Sequence, residues 1–457
     1  MPTLAAEIGT FAAGLTLASL PADVAEKARN CLLNAYGMGL NGHDTPYAPV
    51  ARAAALALAG EVADGATLLG DGRRTTVGGA CLANGALFHG RAQEDTCGAA
   101  HFGTVLIPML TALAETRRYP PDRLIPALVA GYEAGGVLEA ALAGATTPRG
   151  FRSTATYGAI AAAAAASRLM GLDAGTTGAA IAIAASFTGG VLQSFADGTD
   201  EWRYQPGVVA QNGLTAAELA RAGAVSAPFA IEGKAGLARS FAGVAPPDGL
   251  AGRLGRDWAT LRVAFKPFPV CAFNQTPVTG ALKLREQLGG ELPIAIRVRM
   301  NPYETGYAGM DATGPFNSIS GTLMSIPFCI ATTLIYGVPT MRRMTTYDDP
   351  KVAALIERIT LVTDPSVPVL SAIIEADTAH GTRTHAQPMT PADYSYDRAT
   401  LSAMLRRIGA EQDVPMAAYD RLEAFVARLP DADIGEVIAA FALLPRPLAA
   451  AAQQGAA

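Results

Sequence analysis

Four polar stretches interrupt an otherwise apolar chain, and their residue types define the chemistry open to it. In Phe265-Lys266-Pro267-Phe268-Pro269-Val270-Cys271 a lysine stands among two aromatic residues and two prolines. Such a lysine is rigidly placed and partly desolvated, and desolvation makes its amine a usable general base. A purely structural lysine would fit the same pattern. The second stretch runs from Ala83-Asn84-Gly85 through His89-Gly90-Arg91 and Glu94-Asp95-Thr96 to His101-Phe102-Gly103-Thr104. A loop joining buried helices must satisfy its polar groups by hydrogen bonds, at a cost in stability unless function requires them. His101 is therefore a candidate acid or base, Asp95 its orienting partner or a substrate contact, and Thr96 a hydrogen-bond donor. The plainer alternative makes Asp95 and Thr96 helix caps and His101 a satisfied core histidine.

The third stretch is Pro148-Arg149-Gly150-Phe151-Arg152-Ser153-Thr154, ahead of an Ala-rich helix. Arg152 near a helix start adds positive charge to an end that already favours anions, a place suited to a carboxylate held bidentately. Thr154 is a further donor and Tyr157 a second candidate acid or base; a solvated arginine with a Ser153 or Thr154 cap is the alternative. The fourth runs from Asp197 to Gly207, where Arg203 stands beside Trp202 and Tyr204 and either binds an anion or pairs with Asp200 or Glu201. The glycine-rich stretch 70–79 lacks both phosphate-loop patterns and has no nucleotide role. The five histidines show no HExxH-like spacing, His380 and His385 read as a surface loop or strand, and no metal site is expected.

These residues need elements to position them. The 457 residues are half hydrophobic, enough for two or three domains and a sizeable core. A net charge of −5 without a basic stripe argues against nucleic acid, and no charge run suggests a membrane-surface patch. Residues 1–20 carry Glu7 and no basic start, so no secretory signal is read there. The longest apolar run of the Ala-rich middle, 159–166, is far short of the roughly 20 residues of a spanning helix, and the reading is a soluble protein. Five scattered cysteines without a CxxC pair suggest reduced, mostly buried thiols in a cytoplasmic protein.

Up to about residue 262 the pattern is almost wholly helical, with helices expected at 22–38, 105–116, 123–143, 160–170 and 179–193. Their abundant alanine implies close helix–helix approach. Near Lys266 the pattern changes. Residues 292–300 alternate, with Ile294, Ile296, Val298 and Met300 on one side and Arg297 and Arg299 on the other, as a half-wet strand does. Further strands are expected at 359–363, 372–376 and 382–386, with helices at 320–336 and 350–358. The fold class is mainly α: a large helical domain (1–262), an α+β lid (263–395), a helical return (396–445, with helices at 401–408 and 416–429) and a disordered tail (446–457). A cleft between domain and lid would suit a small molecule.

Taken in order, these blocks resemble the MmgE/PrpD family. The resemblance rests on Ala83-Asn84-Gly85, His89, Glu94-Asp95-Thr96, His101, Gly150-Phe151, Ala196-Asp197-Gly198, Arg203…Pro206-Gly207, Glu232-Gly233, the Lys266–Cys271 block and Ser325-Ile326-Pro327-Phe328. It implies a homodimeric enzyme without metal or organic cofactor that begins by removing a proton next to a carboxylate of a small polycarboxylate. The family includes 2-methylcitrate dehydratase, cis-aconitate decarboxylase and iminodisuccinate epimerase. The chain departs from its pattern at Arg91, Ala92, Arg152, Trp202, Gln205, Gln275 and Phe328, losing several candidate proton donors. An epimerase needs only a base on one face and an acid on the other, so the departures favour an isomerase resembling iminodisuccinate epimerase. In that reading Lys266 is the base, His101 or Tyr157 the second group, and Arg91, Arg152 and Arg203 hold carboxylates, with Thr96 and Thr154 donating. A lyase with His101 as acid is the alternative, and an inactive carboxylate-binding protein the third.

Overall fold

The computed structural model describes residues 2–445, so the expected tail at 446–457 lies outside the described residues. The centre of the helical part is the Ser153–Met170 helix, in which every alanine from Ala159 to Ala166 is fully buried. It lies between the Leu124–Thr146 and Gln205–Arg221 helices. Small side chains allow this approach: a Cβ added to Gly213 would meet the Ala159 carbonyl oxygen and the Ala162 methyl at 2.4 Å. The helix stops at Gly171, whose φ of 76° is the left-handed cap glycine tolerates best.

Two helix boundaries differ from expectation for packing reasons. Ala22–Asn41 runs through Gly39, because a side chain there would collide with the Phe88 ring at 2.6 Å; that glycine serves a helix crossing, not a stop. The helix expected over 179–193 is Ala174–Ala184 instead. Gly189 and Gly190, at φ 154° and 131°, turn the chain so that the Gly190 carbonyl accepts the Arg152 N–H at 3.1 Å. Residues 121–149 are apolar and long enough to cross a membrane, but 89% of the most apolar window is buried within the fold, as a core helix is.

The smaller part is built on a four-stranded sheet in the order Ile359–Thr363, Ala295–Met300, Ser371–Thr378, Gly381–Pro388, the first pair parallel and the others antiparallel. Its dry face carries Ile296, Val298, Met300 and Ile374 against the Gln275–Leu288 helix, and on the wet face Arg297 pairs with Glu375 and Asp377. The helix expected over 320–336 is broken at Ser325 into Ile319–Met324 and Ile326–Tyr336. The Ser325 hydroxyl accepts the Phe328 N–H at 3.0 Å as an N-cap, and Pro327 sits in the first turn, where its missing N–H costs nothing.

Apolar contacts fall into two main cores. One joins residues 4–265 to the helices Arg398–Gly409, Met416–Arg428 and Gly435–Phe441; the other is made mostly by residues 268–376. Phe265 belongs to the first core and Phe268 to the second, so Lys266 lies on the seam.

Candidate active site

Two backbone segments bring the polar stretches together at this seam. Thr96 and Ala264 exchange both backbone hydrogen bonds at 2.8 Å, so the loop carrying Glu94 runs beside the strand entering Lys266. Lys266, 3% exposed, donates to Glu94 Oε1 at 2.5 Å. That oxygen also lies 3.4 Å from His101 Nδ1, and Glu94 Oε2 lies 3.0 Å from His89 Nδ1. Burial alone would raise the Glu94 carboxyl, but His89, Lys266 and His101 around it hold it well below the usual carboxylate range. Lys266 and Glu94 thus form a buried ion pair. The desolvated lysine expected from sequence is dry as expected, with a carboxylate partner that was not.

Tautomers follow from partners. Arg152 Nη2 donates to His89 Nε2 at 2.8 Å; a guanidinium has no acceptor, so the His89 proton sits on Nδ1, facing Glu94. Burial lowers His89 to about 4 against the pull of Glu94, and the ring is neutral near pH 7. His101 Nδ1 donates to the Asp95 carbonyl at 2.9 Å, which leaves a lone pair on Nε2. Burial first, then the Lys266 charge, pushes His101 well below its usual value as well. With a side chain 14% exposed, His101 is more accessible than Lys266, Glu94 or His89.

Arg152 and Arg203 both pack against one hub. Trp202 takes the Arg152 guanidinium 5.4 Å and the Arg203 guanidinium 4.2 Å from its ring centroid, and meets His89 edge-on at 4.7 Å. Arg152 Nη1 donates to the Trp202 carbonyl at 2.6 Å and to Gln205 Oε1 at 3.1 Å, and Arg152 forms no carboxylate pair among the described residues. Arg152 is thus a buried guanidinium held by a carbonyl, an amide oxygen and a histidine ring rather than by a counter-ion. Arg203 instead donates to the His89 and Gly90 carbonyls at 3.1 and 2.7 Å, holding the loop that carries Glu94.

Several expected roles need correction. Arg91 does not turn towards Lys266: it donates to Gln93 Oε1 and to Glu411, both at 2.9 Å. The Tyr157 hydroxyl is engaged with Thr146 at 3.0 Å rather than with His101. Asp95 orients His101 through its backbone carbonyl, while its carboxylate accepts the Tyr132 hydroxyl and the Gly103 N–H. Burial raises Asp95 to about 6. Thr154 Oγ1 accepts the His101 N–H at 3.0 Å, so it positions that histidine, and Thr96 contributes its backbone to the Ala264 bridge.

Sequence reasoning gave no role to Glu94, His89, Trp202, Gln93 or Gln275. Gln93 Nε2 donates to the Pro267 carbonyl at 3.2 Å, and Gln275 clamps Phe268 through both its backbone N–H and its carbonyl. Adjacent acids at Glu94-Asp95 were the available signal, but alternation alone could not say which one meets the lysine.

With this geometry in place, two family models match the chain: the MmgE/PrpD N-terminal domain over residues 6–249 and the MmgE/PrpD C-terminal domain over 268–390. The chain belongs to the MmgE/PrpD family. Lys266 falls between the two matched stretches, at the seam of the two cores. Among curated relatives of this MmgE/PrpD enzyme, the cis-aconitate decarboxylase-like protein oryM of Aspergillus oryzae is 31% identical over 279 residues, 57% of each chain. The chain thus spans little more than half the length of that relative. A cis-aconitate decarboxylase of Aspergillus terreus is 24% identical over 382 residues, 78% of this chain and 77% of the relative. The human cis-aconitate decarboxylase is 30% identical over 220 residues, 46% of this chain and 45% of its own.

Proposed function

We propose that the chain is a lyase that removes carbon dioxide from an unsaturated tricarboxylate of the cis-aconitate type. The observation that carries this reading is the Lys266–Glu94 ion pair, which leaves a proton on the amine. Lys266 then serves as an acid, where the isomerase expectation required a neutral base. In a carboxylate one carbon removed from a C=C bond, the breaking bond to carbon dioxide supplies the electrons of a new C=C. The old double bond takes a proton at its far carbon. Lys266 gives that proton and regains one from water; Arg152 holds a carboxylate that stays. The similarity to cis-aconitate decarboxylases supports the same reading.

An isomerase remains the second reading, favoured by His101. Its neutral ring with a free Nε2 is placed to take an α-proton while Lys266 returns one. Incubation with cis-aconitate separates the two. The lyase releases one carbon dioxide per substrate, whereas full recovery of a tricarboxylate carrying solvent deuterium would favour the isomerase.

A further inference from the structure

We propose that Tyr307, carried by the lid, binds substrate directly, donating its phenolic hydrogen to a carboxylate seated on Arg152. The inference rests on the polycarboxylate reading above and adds a contact from the opposite wall of the site.

Tyr307 follows the short Pro302–Thr305 helix and lines a cleft of about 570 Å³ between the lid and the loops 147–150 and 191–196 of the helical part. Its ring is wedged at that boundary. It meets Phe195 of the helical part at 6.1 Å between centroids and Phe273 of the lid side at 5.2 Å. The Arg152 guanidinium lies 5.5 Å from the same Phe195 ring, so the phenol and the guanidinium share one aromatic wall. Burial pushes the phenol of Tyr307 up, Cys271 adds to this, and the Arg152 charge opposes it, so the hydroxyl keeps its proton. Among the described residues that hydroxyl makes no hydrogen bond.

A phenol with a proton to give and no protein acceptor, beside a buried guanidinium with no counter-ion, is arranged for an anion that takes both donors at once. Phe328 offers no alternative donor. Phe328 is buried against Phe316 at 5.1 Å within the lid core and has no hydroxyl. Because Tyr307 comes from the lid and Arg152 from the helical part, one carboxylate would bridge the two and hold the cleft shut.

The test is Tyr307→Phe, which keeps the ring contacts with Phe195 and Phe273 and removes only the donor. Tricarballylate, a saturated tricarboxylate that cannot decarboxylate through a double bond, is the calorimetric probe. The variant is expected to bind it about tenfold more weakly than the parent, as loss of one hydrogen bond to a charged group does. In turnover of cis-aconitate it should show KM raised by a similar factor and kcat changed far less. Equal tricarballylate affinity in parent and variant, or no tricarballylate binding by the parent, would overturn the inference. Absence of carbon dioxide release by the parent, with tenfold weaker probe binding by the variant, would instead overturn the lyase reading and leave Tyr307 as a binding residue.

Discussion

Glu94 sets the charge of the site, because it faces Lys266, His89 and His101 at once. Glu94→Gln leaves the shape and removes the counter-charge; kcat should fall by about 10² or more, as when a general acid loses its tuning partner. Comparable kcat in the two proteins would remove Glu94 from the mechanism. His89 gives a pH signature. Its folded value of about 4 lies below the ordinary 6.5, so its contribution to stability is full above 6.5 and lost as pH falls towards 4. Asp95 is raised to about 6 and runs the other way, its contribution full below its ordinary 3.8 and lost as pH rises through 6. The wild-type curve therefore mixes opposing slopes. The difference between wild type and His89→Gln in urea unfolding should shrink from pH 7 to pH 4; a pH-independent difference would contradict a neutral His89. At this scale the sequence displayed the right blocks but could not assign partners. Arg91 and Arg152 look alike as isolated arginines, and only the fold turns one to Glu411 and the other to His89.

Elements hold these residues through close approaches and backbone clamps. The Val77–Phe88 helix, which ends at His89, crosses the Gln205–Arg221 helix at Gly207, where a Cβ would meet Leu82 Cα at 2.6 Å and the Cys81 carbonyl at 2.7 Å. Both contacts are backbone and cannot yield easily. Gly207→Ala should cost about 1–3 kcal/mol, read as a lower urea midpoint, and should disturb His89 and Arg203 together. Gln93 works by a different route, as a positioning residue. It ties the Pro267 carbonyl to Arg91, and Arg407 reaches the same carbonyl from the Arg398–Gly409 helix at 3.3 Å. Gln93→Leu is expected to lower kcat with KM nearly unchanged; a rise in KM alone would point to a substrate contact instead. Periodicity made the helices and strands legible, since alanine faces and alternation are local properties. It misplaced ends where glycine does long-range work, as at Gly39, and where Ser325 breaks one apolar run into two helices.

For the whole molecule, the seam between two cores is the central fact, since Lys266 lies on it and Tyr307 lines a cleft between the lid and the helical part. A ligand spanning the seam should raise the melting temperature of both parts in one transition, by about 2.7 kcal/mol of stability at 100 times its Kd. Two transitions with only one shifted would show binding to one part alone. The change of pattern near residue 262 made the two-part plan visible in the sequence, but which core each aromatic residue joins depends on packing across the whole chain. The most direct test of the account follows cis-aconitate in deuterated water by NMR with wild type and Lys266→Met. Wild type should release one carbon dioxide per substrate and place one deuterium in the dicarboxylate product, and the variant should do neither while remaining folded. Carbon dioxide release by Lys266→Met at the wild-type rate would contradict the account at its centre.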